Sequence, residues 1–341
     1  MAELSTAVNL LDVAKSLDPD GKTAKVVEVL SRMNPLIETL PFVESNQPSG
    51  HVTTIRTGAL PTAAWRKYNQ GISPGKSARV QITETMGMLE ARSEVDEKLA
   101  NLNGNLAAFR FSEALAFVEG MNQQVETAFF YGSPASDYPF MGVAPRYNDL
   151  DGETKDFIID ADGTGTNDQT SIYVMVLGEQ TVHGIYPKGS KAGLDHQDLG
   201  VIDAFDGDNK RYRAYADLWR WDMGLCVRDH RAIVRICNIK ASDLIAAGLA
   251  AGNTQAATAA SNVLRLIIEA KNRIPRTVRA MGRLVAFMNA RTMTAMELIG
   301  LEKSVNAAKL LDGQKQAAKG WDGVEFVVSD AILNTEAEVT A

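Results

Sequence analysis

The sequence predicts an α+β protein, with antiparallel ribbons lying outside one small, compact mixed domain. Three observations carry this prediction. Two polar, β-branched stretches flank a Gly- and Pro-containing loop between residues 50 and 90. One long segment, 105–131, keeps a helical period. After residue 140, short strand-like and helix-like segments interleave. The 341 residues are 45% apolar and 23% charged, a composition that excludes wholesale disorder and suits about two domains. No internal repeat or low-complexity run is present.

Residues 1–50 read as an arm. A short helix is expected over Lys22–Met33 and is stopped by Asn34-Pro35; Pro41 and Pro48 break the remainder. His51–Thr57 and Ala78–Thr85 alternate and are mostly polar, so they form a two-stranded ribbon with little core of its own. Such an element needs a partner chain to lie on, the alternative being a flexible surface hairpin. At its tip, Trp65, Arg66, Lys67 and Tyr68 combine residue types enriched at interface hot spots, although an exposed loop with one aromatic cluster reads the same way.

Asn105–Tyr131 is the strongest helical segment. Leu106, Phe109, Phe117, Met121, Val125 and Phe129 fall on one stripe, Asn105 can cap the start, and Gly132 with Pro134 ends it. Gly120 inside the helix costs about 1 kcal/mol relative to Ala, which points to a close packing contact there. Further on, Ser171–Leu177 reads as a strand apolar on both faces. Arg211–Met223 and Leu225–Ile239 read as two long strands joined near Gly224. A helix capped by Asn253 or Thr254 runs to about Asn272. Arg283–Met288 is a buried strand, Thr292–Ile299 a short helix and Gly323–Val328 a terminal strand.

The net charge is −7, which argues against a general nucleic-acid binder. Its distribution is uneven: residues 149–208 carry 13 acids and 3 lysines, and 209–303 carry 16 bases and 7 acids. Opposite patches of this kind suit head-to-tail association between copies, or equally two solvated faces of one domain. Arg211, Arg213, Arg220, Arg228, Arg231 and Arg235 could meet acidic subunit surfaces or phosphates. The N-terminus lacks the pattern of a signal peptide, and the long uncharged run Leu244–Leu264 is too polar for a bilayer, so folding in the cytosol is expected.

Chemical motifs fail one by one. Gly71–Ser77 is one residue short of a P-loop and precedes a strand, so no helix N-terminus is there to hold phosphate. Asp160–Asp168 has oxygens at calcium-loop positions but Ser171 stands where the bidentate glutamate belongs. Asp203, Asp206 and Asp208 read as a second acidic turn. His51, His183, His196 and His230 are scattered, and Cys226 and Cys237, eleven apart on an expected hairpin, read as packed thiols. No catalytic, metal or cofactor residues are expected, and an enzyme is improbable.

The order of parts resembles the tailed-phage major capsid proteins of the Hong Kong 97-type fold. Local wording is similar to the epsilon-15-like short-tailed-phage capsid family at Phe117–Asn122, Phe140–Asn148, Val182–Ser190 and Arg235–Ile239. This resemblance implies an N-terminal arm (1–50), an extended β-hairpin or E-loop over a neighbour (51–90), and a P-domain with spine helix 105–131 (91–148). It further implies P/A-domain strands and acidic loops (149–210), a P-domain β-ribbon (211–252), an A-domain (253–320), and a returning strand and tail (321–341). The implied function is a major capsid subunit that assembles with itself into hexamers and pentamers of an icosahedral head around double-stranded DNA. Candidate inter-subunit contacts are Trp65, Arg66, Lys67, Tyr68, Arg211, Arg213, Arg228 and Arg231, and further implied partners are scaffolding, portal and decoration proteins. Assembly is expected in the host cytoplasm, without a membrane and without lysine cross-links from Lys67 or Lys76. The rivals are an encapsulin-like cellular shell around cargo and, further off, a metal-dependent hydrolase using the acidic loops at 160–208.

Overall fold

A computed structural model describes residues 35–57, 63–101, 106–136, 138–206, 208–244, 254–303, 320–321 and 323–340. The helix expected at Lys22–Met33 and the caps expected at Asn105 and Asn253 lie outside the described residues. The strands are β1 (Phe42–Glu44), β2 (Gly50–Thr57), β3 (Ala78–Thr85), β4 (Gly87–Asp96), β5 (Ile158–Asp160), β6 (Gln169–Leu177), β7 (Val182–Tyr186), β8 (Asp195–Phe205), β9 (Arg211–Val227), β10 (Ile233–Lys240), β11 (Arg283–Met288), β12 (Gly320–Trp321) and β13 (Val324–Val328). Three longer helices are α1 (Leu106–Tyr131), α2 (Thr254–Arg273) and α3 (Ala290–Lys303).

The centre of the body is β6, in which every residue is buried, as a strand apolar on both faces requires. It pairs antiparallel with β10 on one side and β11 on the other, and β13 adds parallel to β11. The C-terminal half of α1 lies over this sheet, where Phe129, Phe130, Tyr173 and Phe287 form a fully buried aromatic cluster with centroids 5.1–6.5 Å apart. From residue 329 onward the chain is sewn back to the sheet. Arg235 Nη2 donates to Glu336 Oε2 at 2.8 Å, with both side chains almost wholly buried, and the Asn238 amide exchanges two hydrogen bonds with the Val339 backbone.

Strand β9 is the long girder. Its end at Gly224–Val227 pairs with β7 in the body, while Ala214–Met223 pairs with β4 and Arg211–Arg220 with β8, making a three-stranded antiparallel extension. The N-terminal half of α1 lies on that extension. Phe117 stacks on Trp219 at 5.0 Å, and His196 stacks on Trp219 at 5.3 Å.

Several expectations are corrected here. Gly224 is not a joint between two strands but sits inside β9; a Cβ there would stand 2.5 Å from the Thr85 carbonyl oxygen, so glycine is needed where the chain leaving β3 crosses. β9 and β10 form no hairpin: β10 pairs with β5 and β6, so Cys226 and Cys237 lie on separate strand pairs. Gly120 has no neighbour within 4 Å of its Cβ position; it opens a groove lined by Leu89, Ala91, Phe117 and Met121 instead of making a tight contact. Within the expected arm, Leu36 and Leu40 are buried in the main core and Phe42–Glu44 adds parallel to β7. Asp203 belongs to strand β8, and only the turn that follows holds Asp206 and Asp208.

Candidate assembly surfaces

The ribbon forms as its alternation requires: β2 and β3 pair in unbroken register from Gly50 opposite Thr85 to Thr57 opposite Ala78. Along β3 every side chain but Glu84 is exposed, whereas β2 is buried at Thr53 and half-buried at His51, Val52 and Ile55, so it is β3 and the tip that lack contact with the body. Its root is nevertheless tied. Arg146 Nη1 and Nη2 donate to the two Glu84 oxygens at 2.7 and 2.6 Å, Thr85 Oγ1 donates to the Pro139 carbonyl at 2.8 Å, and Asn46 exchanges two hydrogen bonds with Val52. Beyond the root, residues 63–77 form an extended loop in which Trp65 and Tyr68 are fully exposed. Arg66, Lys67 and Lys76 lie in the same exposed loop; the Lys67 amide is turned onto Gln70 Oε1 at 3.2 Å. Gly71–Ser77 runs straight into β3, so the P-loop-like stretch opens no helix.

The remaining candidate arginines stand on the girder and after it. Arg211 lies 3.8 Å from Asp203, Arg213 3.5 Å from Glu97, and Arg231 pairs with Asp229 at 2.8 Å; Arg228 donates to the Glu179 carbonyl at 3.5 Å. The first two pairs are long and largely exposed, so each guanidinium is free to exchange partners at little cost. Arg235 is different. It is buried against Glu336, Ser171 and the Tyr147 carbonyl, and burial removes it from any subunit or phosphate surface. The uneven charge also resolves locally: the acidic stretch 195–208 and the basic stretch 210–220 are the two arms of one β8–β9 hairpin.

Sequence reasoning missed Arg110. It is the hub of the α1–girder contact, donating from Nε and Nη2 to Asp217 at 3.1 and 2.6 Å and lying 2.8 Å from Asp198. These two carboxylates hold the guanidinium firmly protonated, and Arg110 in turn holds Asp198 below the usual carboxylate range. Nothing in the helical spacing names partners 88 or more residues away along the chain. The acidic loops carry structural bonds. Asp160 accepts from the Asp162 amide and the Asn238 side chain, and Asp168 from the Ser242 amide and hydroxyl. Burial pushes the Cys226 and Cys237 thiols up to about 12, so neither is a poised nucleophile. Among the described residues no helix is long and apolar enough to cross a membrane.

A coreless ribbon, a long spine helix laid across a body sheet, and a girder strand linking that sheet to an extension define a phage capsid subunit of the Hong Kong 97 type. The family model for the major capsid protein GP7 matches residues 18–340, and the chain belongs to that family. The chain is similar over its full length to the bacteriophage Epsilon15 structure, at 31% identity and a TM-score of 0.76, with all of both chains covered. Weaker likenesses are to the bacteriophage JBD30 capsid (10% identity, TM-score 0.47, covering 97% of this chain and 99% of that one) and to the holo-SrpI encapsulin complex of Synechococcus elongatus PCC 7942 (10%, 0.46, covering 69% and 96%). No curated protein matches the chain. The protein is thus a structural subunit that associates with copies of itself in the capsid of a virion.

Proposed function

We propose that the subunit builds hexamers and pentamers of an icosahedral head around double-stranded DNA, with the β2–β3 ribbon laid over a neighbouring copy. The observation that carries this is the ribbon tip. Trp65 and Tyr68 are fully exposed at the end of an element whose strand β3 is exposed at every residue but Glu84. Covering two such side chains at roughly 25 cal/mol per Å² is worth several kcal/mol per copy, more than an isolated hairpin gains by staying in water. Arg66, Lys67, Arg211, Arg213, Arg228 and Arg231 supply the cationic rim of these contacts, the exposed acids of β8 their complement. In this reading residues 1–50 form an arm anchored to its own body at Leu36, Leu40 and Phe42–Glu44, residues 51–90 the E-loop, and 253–320 lie within the A-domain. The role is non-catalytic, assembly takes place in the host cytoplasm, and portal, scaffolding and decoration proteins complete the head.

Deletion of Gly58–Ser77, and separately Trp65→Ala with Tyr68→Ala, tests the reading. A folded subunit that no longer closes shells under electron microscopy is the expected outcome. Normal particles from the deletion would refute it.

A further inference from the structure

We propose that His51, His183 and Cys226 form a binding site for a thiophilic transition-metal ion, Zn²⁺ by chemistry, that clamps the ribbon root to the body sheet. The sequence scatters the three residues, and the topology gathers them. His183 on β7 and Cys226 on β9 are direct cross-strand partners, and His51, the second residue of β2, lies over them with its ring edge-on to that of His183 at 5.9 Å. One ring nitrogen of each histidine and the Cys226 sulfur all lie within 4.8 Å of one another, and no other such group of three occurs among the described residues.

An ordinary buried histidine satisfies its ring nitrogens. His183 does so poorly: it is 1% exposed, and neither Nδ1 nor Nε2 makes a hydrogen bond of good geometry among the described residues, the Gly178 backbone standing near the ring without good alignment. Poorly paired polar atoms in a buried setting are costly, and a metal bond removes that cost. His51 is partly buried, and the contact that its Nδ1 accepts from the Asn46 amide is a long 3.3 Å; coordination gives up that weak bond. Two imidazoles and a thiolate suit Zn²⁺ and not the oxygen-seeking Ca²⁺ or Mg²⁺. Metal–donor bonds of about 2.0–2.3 Å place donors roughly 3.3–3.8 Å apart around one ion, so binding draws these three donors closer together than the 4.8 Å within which they stand here. On binding, the Cys226 S–H proton leaves to solvent, and the resulting thiolate offsets part of the ion's charge beside Arg228. Glu84, opposite His51 in the ribbon register, adds negative potential at His51 and Cys226, while its partner Arg146 at Cys226 and Arg228 at both act the other way.

The clamp rests on the reading of the ribbon as an assembly element, but the site does not. Titration of the purified full-length subunit with Co²⁺, as a spectroscopic stand-in for Zn²⁺, should give one tetrahedral site per chain with a thiolate-to-metal charge-transfer band. Cys226→Ser should abolish that band. His51→Gln, at a partly exposed position that leaves the core intact, should weaken Zn²⁺ binding at least tenfold in competition with a chromophoric chelator. Zn²⁺ should also slow amide exchange over residues 50–55 and 82–85. Absence of the thiolate band, equal binding by His51→Gln, or unchanged exchange at the root would each overturn the proposal. Failure there leaves shell formation by the ribbon untouched, since microscopy of the ribbon deletion reads that separately.

Discussion

Asp198 on β8 and Asp217 on β9 stand directly opposite each other in the strand register, two like charges where a sheet ordinarily places opposite ones. Arg110 resolves the conflict from a third element, reaching both carboxylates from α1 at 2.8 and 2.6 Å. His196 Nε2 adds a further contact to Asp217 Oδ1 at 2.9 Å. The spine helix is therefore locked to the extension by charge as well as by the Phe117–Trp219 stack, and the pair of aspartates is a docking site for one guanidinium.

Replacing that guanidinium exposes the conflict. Arg110→Met keeps the apolar stem but leaves the two aspartates facing each other, Asp217 being only 10% exposed. A loss of about 2 kcal/mol in urea unfolding of the disassembled subunit is expected. Adding Asp198→Asn should recover part of it, because the repulsion goes even though the bridge does not. Full additivity of the two substitutions would contradict this account.

Glu126, wholly buried on α1, gives a pH dependence of definite sign. Burial raises its pKa to about 8, against bonds from Ser329 and the Leu36 backbone that act the other way. The folded chain then holds a proton that the unfolded chain releases near the ordinary carboxylate value. Between about pH 4.5 and 8 the native state binds more protons, so this group's contribution to stability falls as pH rises, by up to about 1.4 kcal/mol per unit, and levels off above 8. His183 contributes the opposite slope below pH 6.5, so the difference between wild type and Glu126→Gln isolates the effect. Melting temperatures of the two proteins measured from pH 5 to 8.5 should diverge progressively across that window.

Gly120 gives a test in which the single chain and the shell are expected to disagree. With nothing within 4 Å of its Cβ position, Gly120→Ala should stabilise the isolated subunit by about 1 kcal/mol. If a neighbouring copy fills the groove beside it in the shell, the same substitution should slow particle formation, measured by light scattering. A stabilised subunit that assembles at the normal rate would show the groove empty in the particle.

Much of the fold was legible because it is locally determined. The extents of β2 and β3, the span of α1 and the buried β6 and β11 follow from alternation and period within each segment. The misreadings share one cause. β8 is an acidic, exposed edge strand whose pairing is specified by β9 and not by its own pattern, and Gly224 looks like a joint until the crossing at Thr85 is seen. Of the assembly residues, the exposed aromatic tip was readable as a cluster in sequence. Arg235 was not separable from its exposed neighbours, since burial is a property of what packs above a strand.

The sequence by itself determined the parts of this capsid subunit: a polar two-stranded ribbon, a long helix and apolar strands. Only the tertiary structure decided which distant charges neutralise one another and which lone polar groups are stranded together. Arg110 meets two aspartates 88 and 107 residues away, and His51 meets His183 and Cys226, because strand pairing brings together side chains that no local period relates. Hydrophobic period acts over a few residues, whereas electrostatic and ligand geometry exists only once the backbone has closed those long loops.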